Sequence, residues 1–153
     1  RQRQMCIRDR TAEEYRKYYK ICDSLPFAFT DIEMVFNEEK KAVDWIFRYG
    51  NEALATLEKL PLDKMIGNSF SSLFSNMDAK WLHVYERATL YGETLEIMDY
   101  SPEIDTNLKI ICFPTFPGHC GCILFNADKM KSISEENHLV RLVEVSMKNN
   151  SSK

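Results

Sequence analysis

The residues able to do chemistry are few and scattered. The three histidines are His83, His119 and His138, with no shared motif. No serine or cysteine stands in a recognisable nucleophile motif. The paired carboxylates Glu13-Glu14, Glu38-Glu39 and Glu135-Glu136 fall in helix starts or turns, where a solvated face accounts for them. The cysteines are Cys6, Cys22, Cys112, Cys120 and Cys122. Five is odd, and no Cys-x-x-Cys occurs, so neither a disulfide framework nor a zinc knuckle is indicated. Cys120 and Cys122 stand two apart in a strand-like run and share a face. They read as small buried hydrophobes rather than a metal or redox pair. No two of the five glycines have the spacing of a phosphate loop or dinucleotide turn. The expectation is a protein that is not an enzyme and holds no metal.

The elements that position these residues follow from pattern. Thr11 with Glu14 is a capping box opening a helix to about Asp23, with Tyr15, Tyr18, Tyr19 and Cys22 on one stripe. Pro26 ends it. Phe27 to Phe36 reads as a strand, 37–41 as a polar turn, and Ala42 to Tyr49 as a second strand with Trp45, Phe47 and Tyr49 on one face. Asn51 N-caps a helix to Leu60, which Pro61 stops. Short half-helices fill 63–75. Asp78 to Leu90 is a longer helix, with Trp81, Tyr85 and Ala88 inward and Gly92 as its stop. Strands follow over Thr94–Tyr100, Leu108–Phe113 and Cys120–Asn126. Ile133 to about Met147 is a last helix, with Leu139, Leu142 and Val143 on one side. Strand runs separated by helical runs argue for an α+β fold, an antiparallel sheet with helices on one face.

Composition narrows the function. A chain of 153 residues is one domain by length and buries a real core without staples. Its net charge of −3 makes it a poor nucleic-acid binder. No stretch approaches the roughly 18 apolar residues of a membrane span. No secretory signal is visible, and the expected compartment is the cytoplasm. Residues 1–20 hold seven basic and three acidic side chains, which leaves −7 on the rest. Much of that basic excess lies in residues 1–10, which read as a disordered or non-native arm.

These elements, with their residues, resemble the PAS sensory domain from about Tyr18 to Asp128. The likeness is to PAS domains of bacterial diguanylate cyclases and sensor histidine kinases. Leu25-Pro26-Phe27-Ala28-Phe29 opens the first strand. Val43 to Tyr49, then Asn51-Glu52-Ala53-Leu54, match the second strand and the helix after it. Ile66-Gly67-Asn68 stands where the family usually has Ile-Gly-Lys. Phe70 to Phe74 resembles the segment before the long helix, and Asp78–Trp81, Tyr85 and Gly92-Glu93 match that helix and its stop. One departure is Asn126-Ala127-Asp128 where many relatives end with Asp-Ile-Thr, so the strand-to-linker tie is differently built.

The resemblance implies a five-stranded antiparallel sheet with helices on one face and flanking helices at both ends. Its boundaries are 11–24 for the first flanking helix, 25–128 for the sensory domain and 129–153 for a linker helix and tail. It implies a sensory module relaying to an output domain such as a diguanylate cyclase or histidine kinase. The ligand-pocket candidates are Phe47, Trp81, Tyr85, Ile97, Leu108, Ile110, Cys112, Cys120, Cys122 and Leu124. The cofactor is unknown. Haem is not expected, because His83 lies about 200° around the helix from Trp81 and points away from the inner face. Flavin is not expected, because the Asn-Cys-Arg-Phe-Leu-Gln signature is absent. A homodimer through the terminal helices is expected, with Tyr15 and Tyr19 at or near the interface. The alternatives are a ligand-free dimerisation scaffold and a small enzyme of unknown reaction.

Overall fold

A computed structural model describes residues 10–75, 79–102 and 104–128. The arm over residues 1–9, His138 and the expected last helix and tail over 129–153 lie outside the described residues. The chain opens with α1 (Ala12–Tyr18) and a 3-10 turn (Lys20–Ser24). Strands β1 (Ala28–Phe36) and β2 (Ala42–Gly50) follow. Then come α2 (Glu52–Glu58), α3 (Leu62–Met65), α4 (Phe70–Leu73) and α5 (Ala79–Tyr91). The last strands are β3 (Leu95–Ser101), β4 (Thr106–Pro114) and β5 (His119–Asn126).

The sheet is antiparallel throughout, in the order β2-β1-β5-β4-β3. The β1–β2 hairpin is joined to the β3–β4–β5 meander through the β1–β5 pair at the centre, and the helical run between β2 and β3 covers one face. A five-stranded antiparallel sheet with helices on one face is what the resemblance to PAS domains implies. Gly67 (φ 88) makes a turn that a side chain would resist. It lets the chain run back along β2, where Phe47 N–H donates to Asn68 O (3.1 Å) and Gly67 N–H to Phe47 O (2.7 Å). The outer edge of β2 is thus partly covered.

The main core lies between the sheet and the helices. From α5 it takes Trp81, Tyr85 and Ala88, from β2 Trp45 and Phe47, and from β4 and β5 Leu108, Ile110, Cys112, Cys120, Cys122 and Leu124. A smaller core lies on the other face, where Tyr15 and Tyr19 pack on Phe29 and Tyr49. Tyr49 corrects the expectation of one face for Trp45, Phe47 and Tyr49. The register slips between Asp31 and Ile32, which pair with Tyr49 and Phe47 and skip Arg48. One extra residue reverses the alternation, so Tyr49 faces outward under α1.

The first helix also differs from a single span to Asp23. It leaves α-geometry at Tyr19 (φ −100, ψ 23) and tightens into the 3-10 turn. Two ties hold that turn: Asn51 Nδ2 donates to Cys22 O (3.0 Å), and Tyr49 O–H donates to Asp23.

Cys112, Cys120 and Cys122 are buried and reduced, with Cys112 and Cys122 opposite each other in the β4–β5 ladder. Burial pushes the Cys112 thiol up to about 12 and raises Cys122 well above its ordinary value. Thiols held in that form are poor nucleophiles. A thiol reagent added to native protein is expected to spare these three while labelling half-buried Cys22 faster. Peptide mapping reads the result, and rapid labelling of the three would contradict their packing.

Candidate functional site

The core encloses a cavity of about 20 Å³, the room open to the centre of a water-sized sphere. It is enough for one water molecule. Among the expected pocket residues, Phe47, Trp81, Tyr85, Leu108, Ile110, Cys122 and Leu124 line it; Ile97, Cys112 and Cys120 do not. Thr30, Ile32, Trp45, Glu58 and Phe70 line it as well. These five lay outside the expected set. Alternation within a strand assigns a face, but not the distance of each residue from the cavity.

Five of the twelve cavity-lining residues are aromatic: Trp45, Phe47, Phe70, Trp81 and Tyr85. Trp45 stands edge-on to Tyr85, with ring centroids 5.0 Å apart, and lies against Phe70 at 4.3 Å. The polar atoms among them are unusual. Trp45 Nε1 and Trp81 Nε1 are buried with no hydrogen-bond partner among the described residues. A buried donor left in that state costs about 1–3 kcal/mol. Glu58 brings a carboxyl group to the same wall and is 7% exposed. Tyr85 is held as the neutral phenol, its pKa well above the usual value through burial, then through Cys122, Cys120, Cys112 and Glu58 nearby. His83, by contrast, is exposed on α5, as the helix phase requires.

The opposite face carries a second polar cluster that the sequence reading missed. Asp31 is fully buried in β1 and accepts on both carboxylate oxygens. Tyr19 O–H donates to Oδ2, and His119 Nδ1 lies 3.0 Å from Oδ1. His119 is boxed by Tyr15, stacked at 5.9 Å, and by Phe116, edge-on at 5.7 Å. Gly121 opposite Asp31 is required by space, since a Cβ there would meet the Phe113 ring at 2.9 Å. Asn51 is a third buried hub. Its Oδ1 accepts from Phe29 N–H and Leu54 N–H, and its Nδ2 donates to Cys22 O and Phe27 O. Asp31 stands in β1 between Thr30 and Ile32, which line the cavity on the other face. The two faces therefore meet within three consecutive residues. The available signal was Asp31, one of two charged residues, with Glu33, inside the mostly apolar run Phe27–Phe36.

Tyr15 and Tyr19, expected at or near a subunit interface, pack on the chain's own sheet. They are 1% and 7% exposed against the chain's own sheet. The outward side of this segment carries Tyr18 (66% exposed) and Ile21 (84%) instead. At the end of β5, Asn126 Oδ1 accepts from Asp128 N–H (2.9 Å), which closes a local turn.

The buried phenols and thiols set an alkaline limit. Tyr15, Tyr19 and Tyr49 are raised above their ordinary value of 10.0 chiefly by burial, as the thiols are above 9.0. The fold keeps protons that the unfolded chain releases. The stabilisation is therefore complete below the ordinary values and is lost as pH climbs past them. Melting temperature is expected to hold steady near neutrality and fall from about pH 9 upward, each group steepening the loss by about 1.4 kcal/mol per pH unit. A melting temperature unchanged to pH 11 would contradict this.

No protein-family model matches the chain. No curated protein matches it either. Among solved structures, the chain superposes on one titled as an RNA-binding light-oxygen-voltage receptor, with a TM-score of 0.49 and 15% identity. The match covers 88% of this chain and 38% of that one. At that score and identity it adds nothing to the strand order. Among the described residues no helix is long and apolar enough to cross a membrane, and no cluster of histidine, cysteine and carboxylate side chains could hold a metal ion.

Proposed function

We propose that the chain is a sensory module of a longer signalling protein, acting through its core cavity rather than by catalysis. The observation that carries this reading is the pair of indole donors, Trp45 Nε1 and Trp81 Nε1, without partners among the described residues, in side chains that line one cavity. A guest presenting a hydrogen-bond acceptor would offset a cost of about 1–3 kcal/mol per donor. The cavity admits only a very small guest without repacking. The Asp31 strand segment connects the cavity to the segment bearing α1 on the opposite face, which gives core occupancy a route to α1. The output domain lies elsewhere in the longer protein. Native mass spectrometry of the purified chain tests this: an added small-molecule mass is expected, and its loss in Ile110→Trp, which fills the cavity. A bare mass in the parent chain counts against ligand sensing.

A second reading, a ligand-free dimerisation scaffold, is favoured by the cavity's small volume of about 20 Å³. The pairing surface it calls for is the outward side of the first segment, Tyr18 and Ile21, since Tyr15 and Tyr19 are covered. Sedimentation equilibrium of the chain and of Tyr18→Glu plus Ile21→Glu reads it. A dimer that dissociates on substitution supports the scaffold, and a monomer at tens of micromolar removes it.

A further inference from the structure

A larger concavity lies outside the core. It is an open groove of about 680 Å³ between the start of β1, one flank of α2 and the end of β5. That volume falls within the roughly 300–1,000 Å³ of small-molecule sites. Its walls are mainly apolar, through Phe27, Ala53, Leu57, Leu124 and Phe125. The Phe27 and Phe125 rings pack 5.4 Å apart. Among the described residues Lys59 is its only charged lining side chain, exposed at the end of α2 and paired with no acid. Thr56, one turn earlier on the same flank, also lines it, its hydroxyl donating to Glu52 O within the helix (3.1 Å). The carbonyl end of this seven-residue helix opposes an anion only weakly beside a full positive charge. Leu124 stands in the wall of both the groove and the core cavity.

We propose that this groove binds an amphipathic carboxylate, its chain along Leu57, Phe27 and Phe125 and its head on Lys59. Leu124 is the partition through which the groove communicates with the core. Only that link rests on the sensory reading; binding in the groove does not require it.

The test is a titration of the ¹⁵N-labelled full chain with decanoate, decanol and decyltrimethylammonium, followed in ¹H–¹⁵N spectra. Decanoate is expected to give saturable shifts at the amides of Ala53, Leu57, Lys59 and Phe125. Lys59→Gln should weaken decanoate about two- to fivefold, the worth of one exposed ion pair, and leave decanol unchanged. Thr56→Phe, at an exposed helix position, should block both. Decyltrimethylammonium binding as tightly as decanoate, or decanoate indifferent to Lys59→Gln, overturns the ligand class. No saturable shift in the parent chain overturns the site, including the case where another part of the chain fills it. The indole N–H signals of Trp45 and Trp81 report the core separately. Indoles that move with the groove amides support the Leu124 link, and indoles that stay still overturn it. Failure of the core as a sensing site leaves the amide shifts intact, so the two ideas fail separately.

Discussion

Replacing Trp81 with alanine is expected to destabilise the fold by about 3–5 kcal/mol, the range for large aromatic truncations in cores. Trp81 is 2% exposed on the inner face of α5, one turn from Tyr85 at 4%. The lost ring leaves a hole walled by rigid partners. Trp45 is already fixed between Phe70 and Tyr85, and β4 and β5 cannot follow the gap without breaking their ladder. Trp81→Phe should cost much less, because it keeps a ring and removes a donor that has no partner among the described residues. Urea melts of both variants read the difference. A loss below about 1 kcal/mol for Trp81→Ala would mean that the inner face of α5 is wrongly assigned.

His119→Phe is expected to cost about 2–4 kcal/mol. The substitution keeps a ring between Tyr15 and Phe116 and removes the nitrogen that faces Asp31. The Asp31 carboxylate, 0% exposed, is then left with Tyr19 as its side-chain donor. An uncompensated acceptor in the interior costs more than the bond was worth. Asp31→Asn in the same background should recover part of the loss, since an amide demands less of its surroundings than a carboxylate. A double-mutant cycle between positions 31 and 119 isolates the pair. A coupling near zero would mean that the two groups do not share a bond.

Much of the architecture was legible because it rests on local pattern. The capping box at Thr11, the N-cap at Asn51 and the stop at Gly92 each mark an element boundary that the fold respects or misses by little. Period gave the inward face of α5 and showed which residues of β4 and β5 share a face, and the resemblance to PAS domains said which of those faces points inward. What periodicity does not supply is the surface that covers a face. Tyr15 and Tyr19 read as an apolar stripe, and within the chain their cover is its own sheet. The Asp31–His119 contact spans 88 positions, a distance at which no local signal operates. Tyr49 was misassigned because a bulge is invisible in a strand's alternation until the partner strand is placed. Glu58 was read as part of a helix with no special role, and the end of α2 turns it inward to 7% exposure.

The central claim is that the Trp45 and Trp81 indoles meet a guest in the core cavity. ¹H–¹⁵N spectra of the full chain read it directly, since the two tryptophans are the only source of indole N–H signals. Spectra are taken as purified and again after unfolding in denaturant, dialysis and refolding, which strips a non-covalent guest. The expected result is that both indole signals move between the two preparations while most backbone amides away from the cavity do not. Identical indole signals before and after stripping, in protein whose backbone spectrum shows full refolding, would contradict the claim.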